Sequence, residues 1–466
     1  MSIVNIPLIG PTYTNRSLPV NAQVTRGFYA TVNLDVGGER LSFQPFPGLK
    51  PFATGVGASR GAGTLNGVLY EVMGGSLYKI SSNGSATSLG SIEGVGRCKL
   101  EEATNNLVIT TGVGRPYSYD GSTLTQGTDI DLPSANTVTY INRRVVYDSS
   151  NGDVAFSDLS NPLSVNSANV IIAEAKQDDM VAVYAYKQQL LAFGTESIQP
   201  MYNSGTGNPP YAFILNATQE VGLAAAHSVS SNNKFLYFLG SDNTIYQMAG
   251  LSLRSIGNPA IGQAIAGYSS VSDAFGLCFT LDNTNFYMIS FTNGDETWLY
   301  NEDAGIWTNL SFGTDGSQHL IASYNRVYGK DLVTDRRNGN VYELDFDTHT
   351  DNGDIIQRRR DTASIDGATF GKAGADIFMN SLLLEIEPGT SLVTSESQII
   401  MQYSDDNGRS WSAERWRPIG AQGEYRHEIE WFGLGTFKRR MFRFTMTDPI
   451  KWVLIKLSAD INISYG

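Results

Sequence analysis

Gly67-Val68-Leu69-Tyr70-Glu71-Val72-Met73-Gly74-Gly75-Ser76-Leu77-Tyr78-Lys79-Ile80 holds two short apolar runs on either side of a glycine pair. Short runs rich in Val, Leu and Tyr that hinge on Gly-Gly read as an antiparallel β-hairpin. Working outward, the unit recurs in 106–110 with 115–121, 144–147 with 153–157, 189–194 with 197–202, 234–240 with 243–248, 285–289 with 297–300, and 326–329 with 339–344. The first runs start at Val68, Leu107, Val145, Leu190, Phe235, Phe286 and Val327, so the period is 38 to 51 residues. That period, with two recognisable strands per unit, is the signature of a β-propeller built from four-stranded blades. Each first run is continuously apolar, as suits an inner strand buried on both faces, and each second run carries aromatics fit to pack between blades. A β-sandwich also has regular turns, but its strands recur every ~8–12 residues without the longer rhythm. The expected fold class is all-β, a propeller of six or seven blades.

Composition agrees. The 466 residues carry 33 Lys plus Arg against 46 Asp plus Glu, a formal charge of -13, and 41% are hydrophobic. These values exclude a disordered or collagen-like chain, and the 48 glycines suit tight turns. The acidic balance speaks against gripping nucleic acid through the whole surface, because phosphate binding rests on Lys and Arg. Cys98 and Cys278 are expected to be free thiols, since two cysteines in so long a chain make no disulfide framework. The start, Met1 to Gly10, has no basic run and is broken by Pro7, and no 18-residue apolar stretch occurs. The sequence is therefore expected to have no membrane span and to act where it is made, or to leave by a route that needs no signal.

Three parts are expected: an extended arm over 1–55, the propeller over 56–350, and a C-terminal β-rich, sandwich-like domain over 351–466. The arm contains the strand-like 28–34 and the proline-punctuated 46–51, and is expected either to close the ring or to cross to a neighbouring subunit. Residues 350–354, Thr-Asp-Asn-Gly-Asp, read as a linker, and 381–387, 398–403, 440–446 and 455–463 as strands beyond it. Helix signals are confined to 259–268 and 168–180.

The sharpest local motif is Ser404-Asp405-Asp406-Asn407-Gly408-Arg409-Ser410-Trp411, an Asp box of the form S-x-D-x-G-x-x-W. Its chemistry is structural: the Asp406 carboxylate accepts backbone N–H bonds and fixes a hairpin turn opened by Ser404, Gly408 permits positive φ, and Trp411 packs beneath. Sialidases carry such boxes, so a glycan-binding or sialidase-like propeller acting on surface polysaccharide is the alternative function. That activity needs paired carboxylates, or an arginine cluster with a tyrosine, and no such set stands out. His227, His319, His349 and His427 lie in unlike contexts, with no metal or nucleophile motif around them. The clusters Gly55-Val56-Gly57 and Gly61-Ala62-Gly63 precede no helix and no Lys-Ser/Thr, which removes phosphate cradling. No catalytic residue, metal ligand or cofactor is expected. Three basic clusters stand out, Arg336-Arg337, Arg358-Arg359-Arg360 and Lys438-Arg439-Arg440. They read either as partner contacts or as strand ends balanced by nearby acids such as Asp335, Asp354 and Asp361.

Several stretches, taken in order, resemble one family. Leu18-Pro19-Val20-Asn21, Phe46-Pro47-Gly48, Ser59-Arg60-Gly61 and Tyr70 to Lys79 are similar to the opening of the packaged-DNA stabilisation proteins of short-tailed bacteriophages, also called tail accessory, hub or nozzle proteins. The similarity continues through 191–198, 339–346, 404–411 and 437–444, nearly end to end. The resemblance implies a non-enzymatic virion tail component, assembled in the host cytoplasm. It would form a hexameric ring below the portal and its adaptor ring, extend the DNA channel and help retain the packaged genome. It would also carry the tail needle or tip protein and the tailspikes or fibres. Acidic residues lining such a ring would repel phosphates, so DNA would pass through the lumen without specific binding.

Overall fold

The computed structural model describes residues 2–14, 22–35, 38–149, 152–172, 178–205, 208–214, 216–388, 397–419 and 427–465. Leu18 to Asn21, part of the family resemblance, lie outside them.

Seven four-stranded antiparallel sheets follow one another along the chain. Blades one to six span 59–91, 99–126, 138–172, 180–213, 230–255 and 275–312. Blade seven takes Ile321–Val327, Lys330–Asp335 and Val341–Asp345 from the end of the repeat, and its outermost strand, Gly48–Ala53, from the N-terminal arm. Each blade touches the next, and blade seven touches blade one, so the ring closes. The arm thus closes the ring within its own chain. Hydroxyls seal neighbouring inner strands: Val183 N–H donates to Thr137 Oγ1 (2.9 Å), Ala185 N–H to Thr139 Oγ1 (3.0 Å) and Cys278 N–H to Ser230 Oγ (2.9 Å). They satisfy strand-edge donors that burial would otherwise orphan.

The sequence-read hairpins are the second and third strands of blades one to six, not the inner strand. Inner strands face the central hole on one side and so carry small and polar residues, as in Ser59-Arg60-Gly61-Ala62-Gly63-Thr64-Leu65. Gly61 and Gly63 are small because blade two presses on them: a Cβ at Gly61 would stand 2.4 Å from the Cys98 carbonyl oxygen. The inner strand of blade five is only Ser230–Ser231. Asn66-Gly67, Asn142-Arg143 and Asp282-Asn283 turn between first and second strands with positive φ at both positions, the geometry of tight hairpins.

The helix expected at 259–268 is present as Pro259–Gly267, capped by Asn258, whose side chain accepts from Ile261 N–H. That expected at 168–180 is not: 168–172 end the long strand Asn161–Ile172, Met180 opens Met180–Tyr186, and 173–177 lie outside the described residues. Residues 350–354 are no loose linker but a two-strand hairpin turning at Asn352-Gly353, both with positive φ.

The C-terminal part is a two-sheet sandwich that the arm helps to build. One sheet joins Phe28–Asp35, Gly38–Pro45, Trp452–Ser464, Asp376–Pro388 and His427–Phe437, with Ser2–Ile6 along Trp452–Ser464. The other joins Arg358–Asp361, Arg439–Met446, Gln398–Ser404 and Arg415–Pro418. This second sheet runs without a break through Ala22–Arg26 into the outer strand of blade six, Ile306–Phe312. Phe28, Phe43, Trp431, Phe442, Phe444 and Trp452 fill the core between the sheets.

Candidate functional site

Three places gather the polar residues: the hole of the propeller, the junction of arm and sandwich, and the Asp-box turn. The hole is a cavity of about 370 Å³ lined by the inner strands of all seven blades, among them Gly61, Lys99, Thr137, Tyr184, His227, Cys278 and Tyr324. Its volume is that of a small-molecule pocket, not of a duplex conduit. Arg97, at the start of blade two, lies across it. The guanidinium sits 3.9 Å over the Phe275 ring of blade six and donates to the Ala322 carbonyl of blade seven. Arg60 stands at the same mouth, and its donors go to the main-chain carbonyls of Gly74, Glu93 and Gly96. Arg336 donates to the carbonyls of Gln318 and His319, both at 3.2 Å. These arginines turn their donors into the backbone rather than converging on the lumen, which is not how a glycan carboxylate is recognised. His227 is pushed down to about 3 by burial and by Arg97 and Lys99, so it is neutral. Both cysteines line the hole as free thiols, and burial pushes Cys98 up to about 11. Among the described residues, no group of three or more His, Cys, Asp and Glu comes together as metal ligands would.

The junction uses the basic run 358–360. In the strand Arg358–Asp361, alternate residues point to opposite sides. Arg358 and Arg360 are buried and Arg359 is half-buried. Arg360 donates to Leu8 O (2.6 Å), Gly10 O (3.2 Å), Thr25 Oγ1 (2.8 Å) and Gln23 Oε1 (2.6 Å), and its guanidinium lies over Phe43. One side chain thus ties three segments of the arm to the sandwich. Arg358 donates to the Phe46 carbonyl at 3.4 Å, and its charge acts on Asp351. Arg359 and Arg443 both grip Asp361; burial alone would raise that carboxyl, but the two guanidiniums hold it below the usual range. The expectation of a surface contact is corrected for Arg358 and Arg360, both buried inside the chain; the donors of Arg360 are used there, while Arg358 Nε is buried with no hydrogen-bond partner. Nearby, Asp351 Oδ2 is 3.8 Å from His319 Nε2, both fully enclosed. Burial raises Asp351 to about 7, partly opposed by Arg358, and burial with Arg336 lowers His319 to about 3. The side chain of His427 lies outside those described; His349, at the arm junction, is lowered to about 4 by burial and Arg358.

Lys438-Arg439-Arg440 divides in the same way. Arg440 is buried, forks onto Asp405 at 2.6 and 2.7 Å, and lies between the Tyr403 and Phe437 rings. Arg439 pairs with Asp366 at 3.4 Å, and Lys438 is exposed. Of Arg336-Arg337, only Arg337 is exposed, near Asp335 (3.6 Å) and over Phe312. In the Asp box, Gly408 N–H donates to Ser404 Oγ (2.7 Å) and Ser410 N–H to Asp406 Oδ1 (2.9 Å), while Gly408 has φ +85°. Hydrogen bonds from Ser410, and then from Ser404, hold Asp406 well below the usual carboxylate range. Trp411 stacks under Arg443 at 3.6 Å. The Ser404 and Ser410 hydroxyls and the Asp406 carboxylate are thus used in holding the turn, while Asn407 Oδ1 is buried with no hydrogen-bond partner.

Sequence reading missed Arg60 and Arg97. For Arg97 the signal was Gly-Val-Gly-Arg, which occurs at 94–97 and again at 112–115; Arg60 follows Gly55-Val56-Gly57 at a different spacing.

The molecule is thus of the class of propeller–sandwich structural proteins, with buried arginines as internal ties. Residues 5–349 match the family described as "Bacteriophage P22 Gp10, beta-propeller", and 363–462 that described as "Bacteriophage P22 Gp10, beta-sandwich". The chain belongs to this family of short-tailed phage stabilisation proteins, structural proteins of the virion tail. No curated protein matches the sequence. Among solved structures it is similar to the computationally designed Ika8 protein (11% identity, 69% of this chain and 99% of that one, TM-score 0.39). It is also similar to the N-terminal domain of Nup159 (10%, 69% and 98%, 0.42) and to PorZ of Porphyromonas gingivalis (11%, 81% and 48%, 0.40).

Proposed function

We propose that this chain forms a hexameric ring below the portal and its adaptor, continues the DNA channel, and helps hold the packaged genome until ejection. The observation that carries the reading is the family match, which runs through both domains in one order. On this reading DNA travels through the lumen of the ring and not through the propeller hole, which Arg97 crosses. The charge supports passage without grip. Of the eight clustered cations only Arg337 and Lys438 are exposed, on a chain of net charge -13. Retention then belongs to a distal plug or constriction, and the ring serves as the platform for the tail needle or tip and for tailspikes or fibres.

Electron microscopy of the purified protein mixed with portal–adaptor complexes should show a six-fold collar. Monomers that never join the portal would overturn the reading. In a filter-binding assay at physiological salt the isolated protein should not retain duplex DNA. Tight binding, lost on charge reversal at Arg337 and Lys438, would refute passage without grip.

A further inference from the structure

Five acidic residues are buried among those described: Glu71, Asp148, Asp335, Asp351 and Asp361. Three have their carboxyls satisfied. Asp148 accepts from Thr137 N–H (2.6 Å) and Asn136 N–H (3.2 Å), Asp335 from Arg337 N–H (2.8 Å) and the Tyr342 hydroxyl (3.1 Å), and Asp361 from Arg359 and Arg443. Glu71 and Asp351 differ: both oxygens of each are enclosed without a hydrogen-bond partner. Both residues border blade seven, the blade closed by the borrowed strand Gly48–Ala53.

Glu71 stands in the seam where the ring closes. On Val68–Met73 it shares a side with Leu69 and Met73, which pack on Val327, Leu332 and Val341 of blade seven. The seam's polar ties are made without it. Ser59 Oγ donates to Thr334 Oγ1 (2.9 Å), and the Tyr328 hydroxyl accepts from Leu69 N–H (3.1 Å) and donates to Ile80 O (2.6 Å). Burial holds the Glu71 carboxyl well above the usual range; Ser59 opposes that, and Asp335 of blade seven, a like charge, adds to it. Tyr78 and Tyr328 also line the seam, and Lys330 and Glu343 of blade seven engage each other.

Asp351 clips the borrowed strand from its other side. Thr350–Asp351 runs parallel to Gly48–Ala53, with Asp351 opposite Leu49 and Asn352 N–H donating to Leu49 O (2.9 Å). The Asp351 carboxyl is 3.8 Å from His319 Nε2, beyond hydrogen-bond reach. Arg358 and Arg337 act on it as cations and Asp354 and Asp335 as anions, while Arg336 acts on His319. Burial outweighs them all and raises it to about 7.

An ionised carboxylate needs donors or water around it. Neither place supplies donors, so each carboxyl keeps its proton while blade seven is closed, and water reaches it when the strand or the seam lifts. A raised folded pKa stabilises the closed form below the ordinary carboxyl range, and that contribution is lost as pH rises through the raised value. Asp351 loses its proton first, at about 7, and Glu71 above it. His319 and His349, held neutral by burial, work in the opposite sense, but only below about pH 6.5, where an exposed imidazole takes a proton.

We propose that blade seven is a proton-operated clasp: with Glu71 and Asp351 protonated, the borrowed strand and the seam with blade one are shut, and loss of those protons to solvent loosens both. The clasp belongs to the single chain and stands or falls apart from the ring reading.

Hydrogen exchange followed by mass spectrometry on the full chain tests it, with each rate divided by its intrinsic value. Between about pH 6.5 and pH 8.5, protection at 48–53 and 68–73 should fall about ten- to a hundredfold, while blades three to five keep theirs. In Glu71→Gln with Asp351→Asn, whose side chains have the same shape but do not ionise, that fall should vanish. Glu71→Leu with Asp351→Asn, which leaves the seam apolar, gives the same reading should the first pair fold poorly. Equal protection of both segments at the two ends of the range overturns the inference. So does a fall shared by every blade, which would be general unfolding. So does a fall that persists in the double variants, which would put the titrating group elsewhere.

Discussion

Blades one to six are each closed by strands that follow one another in the chain, whereas blade seven is closed by Gly48–Ala53, supplied from the arm. The same arm gives Ser2–Ile6, Phe28–Asp35 and Gly38–Pro45 to the sandwich, and Ala22–Arg26 to the sheet bridging both domains. A contiguous blade needs only local pairings. Blade seven and the sandwich wait for strands from both ends of the chain, at the entropic cost of closing a very long loop. One segment, the arm, thus both closes the ring and joins it to the sandwich.

Removal of residues 1–53 should have the largest effect. Blade seven loses its outer strand and the sandwich loses three, so the variant should unfold without a cooperative transition by calorimetry. A sharp melt near that of the full chain would show the domains to be independent of the arm. Next comes Arg360→Ala. It leaves the Leu8 carbonyl without its donor inside the fold and removes one of the two donors to the Gly10 carbonyl, and should cost about 3–5 kcal/mol in denaturant unfolding. Arg337→Ala, on the surface, should stay within about 0.5 kcal/mol. Equal effects of the two would remove the distinction between tie and surface charge.

That pair shows how much was legible in the sequence. The two basic runs look alike as text, and only strand parity separates them: in an extended segment Arg358 and Arg360 share one side, and Arg359 takes the other. The propeller was readable because its second and third strands sit a turn apart and are apolar throughout. Its inner strands were not, since a strand that faces a polar hole on one side, such as Ser59–Leu65, loses the continuous apolar pattern. The closing partner of Gly48–Ala53 carries no local signal, because a pairing between distant segments leaves no mark on either one.

A smaller effect tests the enclosed polar patch beside blade seven. Burial raises Asp351 from an ordinary 3.8 to about 7, with Arg358 opposing and with His319, Asp335, Asp354 and Arg337 around it. A carboxyl whose folded pKa is raised binds a proton more readily in the folded state. Its contribution is therefore fully present below pH ~4 and is lost as pH rises toward 7. Stability should fall by about 1–3 kcal/mol over that window and then level off, and Asp351→Asn should flatten the slope. Opposing trends come from Asp361, held low by Arg359 and Arg443, whose stabilisation is lost only as the medium becomes strongly acid. An unchanged pH slope in Asp351→Asn would mean that the carboxyl is already ionised and paired.

The gentlest change sits at the opposite pole from blade seven. In the Asp box the bonds of Ser404 and Asp406 span only a few residues: Ser404 Oγ donates to Asp406 Oδ1 (2.7 Å) and accepts from Gly408 N–H (2.7 Å). Ser404→Ala should cost about 1 kcal/mol, the worth of a buried hydroxyl in a turn. It should also loosen Trp411 from Arg443, read as a change in tryptophan fluorescence. Because the turn is local, the change should speed unfolding of the sandwich without slowing closure of the ring, which depends on the arm. If refolding of the whole chain slows instead, the turn nucleates the sandwich, and the division between local and borrowed structure has to be redrawn there.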